Sequence, residues 1–515
     1  MIDVLEIGER AIGLTEIVTA SAGSTQISLS PAALARVTAS RAVVETYAEG
    51  NEPVYGLNTG LGGNLGYRLD PTSLAAFQVQ MIRGRTIGVG PAFPETVARI
   101  QLLCRIIGLA QGGAGISLAV LEGMIAMFNR GVTPCIPGRG SIGAGDLGLA
   151  AHMAAVAIGR GEAWFEGRRW PGAEALAAAG LLPVTLGAKD GLGLLNTSAV
   201  TCGHATGVLA DLADLLIFAT ATAALSLEGY AANPGIFDPR LAEARPAGGQ
   251  VCAAAMFRQI LAGSYLYDAP SRSIQDALSF RVLSQIYGPL LTAFDTAAEA
   301  VALEINAAAD NPLVLAEDGV ILSTANFHTP AIALAFDSLA IALCHLASAS
   351  IQRTIKLMDA RLSGLPKYLS PIGGASVGFN ALQKTASYLH AEIRLKATPA
   401  SLDSIPVSET VEDHAPNTPL TIRKLEEQLL PLRLLIAIEA MTAAQAVDLR
   451  GKPALSASTT ILHAAIRARV PTLGEDREIG PDVDLIDGIA QNQALLASLR
   501  ESFKGLSLNP LLSGA

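Results

Sequence analysis

Three sets of residues in this 515-residue chain have types and spacings that suggest chemistry. The first is Gly138-Arg-Gly140-Ser-Ile-Gly143, a literal G-x-G-x-x-G ahead of a plausible helix. Such a turn cradles a pyrophosphate only when a β-strand precedes it within a βαβ unit. Here it follows Thr133-Pro-Cys-Ile-Pro137 and no parallel-sheet pattern comes after it, so no nicotinamide cofactor is expected. The second is Glu412-Asp-His414, whose three side chains are adjacent instead of sharing one helical face. With no H-E-x-x-H and no C-x-x-C, no metal site is expected. The third is the set of seven histidines, of which His345 and His463 lie in apolar helical pattern and read as satisfied core residues.

The segment Gly140-Ser-Ile-Gly-Ala-Gly-Asp-Leu147 carries more information than any of these. It resembles the G-S-V-G-A-S-G-D-L signature of the histidine, phenylalanine and tyrosine ammonia-lyase and aminomutase family, where an internal Ala-Ser-Gly cyclises and loses water to form an electrophilic methylidene-imidazolone. Other motifs agree along nearly the whole chain. Tyr55-Gly-Leu-Asn-Thr-Gly60 resembles Y-G-x-N-T-G, and Asp190-Gly-Leu-Gly-Leu-Leu-Asn196 resembles E-G-L-A-L-L-N. Glu304-Ile-Asn306 with Asp310-Asn-Pro312 resembles E-x-N…D-N-P, and Asn326-Phe-His328 the N-F-H that follows. Leu362-Ser-Gly-Leu-Pro366, Asp403-Ser-Ile-Pro406 and Glu412-Asp-His414 complete the series.

The resemblance implies a homotetramer whose active sites each draw on more than one subunit. It implies catalytic positions at Tyr55, Ala144, Gly145, Asn196 and Gln275, and substrate-binding positions at Arg85, Leu278, Arg281, Asn326, Phe327 and Glu412. Tyr55 would donate or accept a proton, and Asn196 and Gln275 would hold polar groups around the prosthetic ring. Arg281 would pair with the substrate carboxylate, because a guanidinium offers a planar fork that matches two oxygens. Phe327 would line the pocket, and Glu412 would face the amino group.

Three departures from the family pattern fall at this centre. No serine stands between Gly143 and Asp146, so Ala144 and Gly145 have no hydroxyl to eliminate. Leu278 takes the place of a tyrosine assigned as the base that removes the β-proton, and leucine does no acid–base work. Tyr55 is then the first candidate base, with Tyr265 or Tyr267 as substitutes. Arg85 stands at the family's selectivity position, usually histidine or phenylalanine, as a partner for a second anionic group or as half of an ion pair with Glu412 or another subunit. The expectation is an elimination, or the reverse addition, on a carboxylate-bearing and possibly amino-acid substrate, without a methylidene-imidazolone or other cofactor. The alternatives are an ordinary histidine- or tyrosine-type ammonia-lyase with a misrendered signature, and a non-catalytic paralogue that binds small carboxylates.

The elements that must position these residues read as mainly α. Up to about residue 75 the chain is mixed, with turns at Ser24 and Asn51-Glu-Pro53, and Trp164-Phe-Glu-Gly-Arg-Arg-Trp170 suggests a small hairpin. From about 200 to 450, apolar residues recur at three- and four-residue spacing, as in Ile332, Phe336, Leu339 and Leu343, or Leu429, Leu432, Leu435 and Ile438. The expected architecture is a histidine ammonia-lyase-like fold with a small mixed N-terminal lobe and a long central helical bundle. Residues 1–200 would carry the signature loop and much of the site, and residues 201–515 the bundle and oligomerisation region.

Composition narrows the setting. Hydrophobic residues make up 50% and charged ones 16%, with mean hydropathy +0.40, so much surface must be buried. Residues 205–226 carry Asp211 and Asp214, and 329–351 carry Asp337 and His345; charges at a bilayer centre are costly, so buried helices of an oligomer are expected, not membrane spans. A net charge of −10 disfavours nucleic acid. Five widely spaced cysteines read as buried thiols in a reducing compartment, and the N-terminus lacks a signal-peptide pattern, so the cytoplasm is expected.

Overall fold

The apolar periodicity of the chain's second half folds into three long helices, Ala199–Tyr230, Pro330–Met358 and Thr418–Leu449. Both stripes read from the sequence are buried, with no residue among them more than 6% exposed. By length and composition, three stretches match a membrane span: Asp190–Tyr230, Pro330–Met358 and Thr418–Leu449. Their most apolar windows are nevertheless 83%, 56% and 83% buried inside this one chain, so most of that apolar surface is used for packing. The computed structural model describes residues 4–50, 52–60, 73–268 and 270–514; of the turn expected at Asn51-Glu-Pro53, Asn51 lies outside them.

Contacts divide the chain into two units. The first comprises Met1–Val208, Ala298–Leu334 and Pro399–Ile422, and the second Leu209–Ala297, Ala335–Thr398 and Arg423–Ala515. Among the described residues, the short strands all lie in the first unit. Val4–Ile7 pairs in parallel with Gln26–Leu29, and Leu313–Leu315 pairs antiparallel with Val320–Leu322. The expected hairpin is present as Glu162–Phe165 against Arg168–Pro171, with the Arg169 guanidinium 4.7 Å above the Trp164 ring. Pro137–Arg139, which leads into the glycine run, pairs antiparallel with Val89–Ala92, so the run does not sit in a βαβ unit.

Behind the Asp190–Leu195 helix the first unit buries a set of charges. Arg41 donates to Asp190 at 3.1 Å, and Asp190 also accepts from the backbone N–H groups of Ser117 and Gly187. Arg105 donates to Asp310 at 3.0 Å, and the fully buried Lys189 donates through Nζ to the Ala114 carbonyl at 2.6 Å. Burial pushes the Lys189 ammonium down to about 8, with Asp310 and Asp190 opposing that shift and Arg105 and Arg41 adding to it. Its ordinary value of 10.5 applies when the chain is unfolded, so between these pH values the unfolded chain binds more protons than the folded one. Stability contributed by this residue therefore rises as pH climbs from about 8 to 10.5. Urea unfolding at pH 7.5, 9 and 10.5, chosen at roughly even steps across that range, should show a shallower rise for Lys189→Met than for the parent protein.

The second unit is built on the three long helices. Arg353 and Glu439 are each about 1% exposed and paired bidentately at 2.5 and 2.9 Å. Ser226 donates to the same carboxylate at 2.7 Å, so the Ala199–Tyr230, Pro330–Met358 and Thr418–Leu449 helices meet at one polar knot. Arg353 also donates to the Ser279 carbonyl, which anchors the short helix Leu278–Arg281. Phe280 in that turn is buried and stacks on Tyr230 with ring centroids 4.0 Å apart.

The isolated residues read from the sequence fall out unevenly. Cys104, Cys135 and Cys202 are buried, whereas Cys252 and Cys344 are half-buried, and all five are free thiols. His463 is half-buried and satisfied, 3.1 Å from Asp448. His345 is exposed on the Pro330–Met358 helix, contrary to the core placement expected, because that helix turns part of its apolar sequence outward.

Candidate active site

The site in the first unit is organised by the loop Gly140–Asp146. Its end is fixed by Asp146, whose carboxylate accepts from Ser141 Oγ, Thr201 N and Thr201 Oγ1, each at 2.7 Å. The Asp146 N–H donates to the Thr197 carbonyl at 2.6 Å, which ties the loop to the segment just after Asn196. Burial raises the Asp146 carboxyl above its ordinary range even though these three donors and the Val200 backbone favour its charged form.

Two further segments grip the loop. Thr329 donates through Oγ1 to the Gly143 carbonyl at 3.2 Å, and Asn417 N donates to the Ile142 carbonyl at 2.9 Å. Gly143 has φ +81°, and a Cβ there would meet Thr418 Oγ1 at 2.7 Å and Thr418 N at 2.9 Å. Only glycine suits both the backbone conformation and that approach. Gly145 N donates to the Phe327 carbonyl at 3.2 Å, and Ala144 forms an isolated antiparallel bridge with His328.

The loop thus meets the Asn326-Phe-His328 segment through its backbone. Gly145 and Phe327 are in direct contact through their backbones, as are Ala144 and His328, with Asn326 next to Phe327 in sequence and exposed. Asn196 is buried at the end of the Asp190–Leu195 helix, and its Oδ1 has no hydrogen-bond donor among the described residues. A buried amide oxygen left without a donor is costly and marks a place where a bound group would be satisfied. Tyr55 packs with Phe77 against Met81 and Leu192, the latter on the same short helix that leads to Asn196.

Arg85 ends the helix Leu74–Arg85 and is half-buried. Burial depresses its guanidinium, while the charges of Tyr55 and Glu412 oppose that shift. Glu412 is exposed and accepts from Ser408 Oγ at 2.9 Å across a tight loop closed by the Val407–Glu412 bridge. Ser408, Glu409 and Thr410 all adopt left-handed backbone angles, with φ of 52°, 57° and 70°.

Gln275, Leu278 and Arg281 lie in the second unit. Gln275 and Leu278 are exposed and Arg281 is half-buried. The two tyrosines named as substitute bases lie there too. Tyr265 is not available for that part: its hydroxyl donates to the Glu228 carbonyl at 2.6 Å, and burial pushes it up to about 12. Tyr267 is also raised by burial.

One feature escaped the sequence reading. His328 Nε2 and His414 Nδ1 lie 2.8 Å apart, joining the Asn326-Phe-His328 motif to the Glu412-Asp-His414 motif beside the loop. Burial and His414 both hold the His328 imidazole below its usual range. The signal was that both motifs end in histidine, but 86 residues separate them.

Residues 12–468 match the model of the aromatic amino acid lyase family. The chain belongs to that family. It is 38% identical over 510 residues to a histidine ammonia-lyase of Stigmatella aurantiaca, covering 97% of this chain and 99% of that one. Among solved structures it resembles an ergothioneine-degrading ergothionase from Treponema denticola, in complex with desmethyl-ergothioneine sulfonic acid, with TM-score 0.93 and 33% identity over 96% of this chain and 100% of the other. A phenylalanine aminomutase from Pantoea agglomerans matches with TM-score 0.90 and 30% identity over 96% and 99%. The histidine ammonia-lyase-like, mainly α fold is thereby established, and the chain is a lyase; the non-catalytic alternative falls away.

These relatives also correct the expectation about the cofactor. Histidine ammonia-lyases at 37–39% identity, and aminomutases of the same fold, use the methylidene-imidazolone, so the reading of an enzyme that dispenses with it is overturned. The likeness along the whole chain favours a conventional histidine-type lyase over a divergent elimination. The loop itself supplies Gly143, Ala144 and Gly145 and no serine hydroxyl, which does not fit formation of the group from these residues, so no step is assigned to it.

Proposed function

We propose that this chain removes the α-nitrogen from an imidazole-bearing amino acid to give the corresponding conjugated acrylate. A base takes the β-proton, the C–H electron pair becomes the C=C bond, and the nitrogen leaves with the C–N pair as a neutral amine. Tyr55 is the proton acceptor in this reading, Arg281 grips the carboxylate with its planar fork, and Asn196 and Gln275 hold polar groups nearby. Phe327 and Asn326 line the pocket beside Ala144 and Gly145, and Arg85 and Glu412 supply its charged groups.

The observation that carries the reading is the near full-length identity to histidine ammonia-lyases, joined by an ergothionase among the solved structures. Ergothioneine is itself a histidine derivative. The half-buried guanidinium of Arg85 agrees with this, since a phenyl ring laid against it would desolvate a cation and offer it no acceptor. A homotetramer in the cytoplasm completes the proposal. Apolar side chains exposed on this single chain support the assembly, including Ile274 and Leu278 beside Gln275, and Leu334 and Ile341 on the Pro330–Met358 helix.

Ultraviolet scans of the purified protein with histidine, ergothioneine, phenylalanine and tyrosine test the reaction. A new conjugated-acrylate band is expected with an imidazole substrate. Turnover confined to phenylalanine or tyrosine would refute the proposal.

A further inference from the structure

The Glu304-Ile-Asn306 and Asp310-Asn-Pro312 motifs have no part in the proposed reaction, yet within the first unit both reach the segment that carries Asn196. Asn196 ends the Asp190–Leu195 helix, where its N–H donates to the Leu192 carbonyl at 2.9 Å. Its buried Oδ1 has no donor among the described residues, so that end of the amide takes its place from the backbone on either side.

That backbone is held from both directions. Upstream, the Arg105 guanidinium donates to the Gly193 carbonyl and, at 3.0 Å, to Asp310. Downstream, the Thr197 carbonyl accepts the Asp146 N–H at 2.6 Å, and the Ser198 hydroxyl donates to the Glu304 carboxylate. Glu304 is held in turn by its own motif. Two residues on, Asn306 accepts from Ile12 N at 2.8 Å and donates to the Ile12 carbonyl at 3.0 Å.

The Glu304 contact works by shape more than by charge. Among the described residues no cation pairs with Glu304. Burial raises its carboxyl above the ordinary range; the Ser198 hydroxyl opposes that shift and the charge of Asp146 adds to it. A neutral acceptor of the same length would therefore serve Ser198 as well. The space beside the contact is tight, a cavity of about 10 Å³ lined by Arg105, Thr197, Ser198, Cys202 and Glu304. Cutting Glu304 back would open that space and leave the turn after Asn196 free to shift into it.

We propose that Glu304 is a positioning residue: through Ser198 it fixes the backbone just after Asn196 and so keeps the Asn196 amide in place for the group bound in the site. The part played by Asn196 rests on the proposed elimination. Glu304→Gln keeps an acceptor for Ser198, and Glu304→Ala removes it. Each is made in the full-length protein, alone and together with Asn196→Ala, and followed by steady-state kinetics with histidine and ergothioneine.

Glu304→Ala is expected to lower kcat by about 10- to 100-fold, the scale of loss when a site group is misplaced by ~1 Å. KM should stay within about threefold of the parent value, and Glu304→Gln should recover kcat to within about threefold, since its amide oxygen still accepts from Ser198. On top of Asn196→Ala, Glu304→Ala should add no more than about threefold, because a residue that acts through Asn196 then has nothing to position. Should Glu304→Ala fail to fold, Ser198→Ala breaks the same contact from its other end and carries the same expectations. Losses that multiply in the double variant, an unchanged kcat in Glu304→Ala, or a Glu304→Gln as impaired as Glu304→Ala would overturn the proposal. If the parent protein consumes neither substrate, the elimination is misassigned, and crystal structures of the two variants decide the positioning. Asn196 displaced in Glu304→Ala and restored in Glu304→Gln upholds it; Asn196 unmoved in both overturns it.

Discussion

Tyr55→Phe is expected to lower kcat by about 10²- to 10⁴-fold, the range for removing a positioned acid–base group. KM should move far less, since the ring remains packed with Phe77 against Met81 and Leu192. Leu278 cannot take a proton, and Tyr265 spends its hydroxyl on the Glu228 carbonyl. Tyr55 lies within the electrostatic reach of the Arg85 guanidinium, a cation that would favour a developing phenolate. Steady-state kinetics on the variant decide the matter. A loss of only two- to threefold, well under the range quoted for such a group, would place the base elsewhere.

The largest effect on stability should come from Arg353→Ala. This leaves the Glu439 carboxylate buried with Ser226 as its remaining donor, and breaking a buried pair in this way costs about 3–5 kcal/mol. The loss also frees the Ser279 carbonyl, so the turn carrying Leu278 and Arg281 should loosen with it. Chemical denaturation of the parent and variant measures the cost. The double substitution Arg353→Met with Glu439→Leu should regain most of it, because removing both charges leaves neither stranded. A double variant as unstable as the single one would show that packing, and not the stranded charge, sets the loss.

The helical fold was legible because burial in a helix has a period. Ile332, Phe336, Leu339 and Leu343 announce their face, and the structure buries all four. The same logic misplaced His345, since Ala and Leu surround it on a helix that is apolar on its outer side as well. The site was legible only in part. Motifs named its residues, but the pairing of His328 with His414 joins two loops far apart in sequence. The left-handed run Ser408–Thr410 that presents Glu412 has no glycine to betray it. Reading the cofactor from one loop gave too much weight to a single absent serine, against a likeness that runs through about 500 residues.

Quantifying both products of a single reaction tests the account most directly. Purified protein is incubated with histidine or ergothioneine, and the released amine and the conjugated acid are measured together by proton NMR. The account predicts equal amounts of the two, with the amine matching the substrate's own α-nitrogen: ammonia from histidine, trimethylamine from ergothioneine. A folded protein that releases neither from either substrate would contradict it.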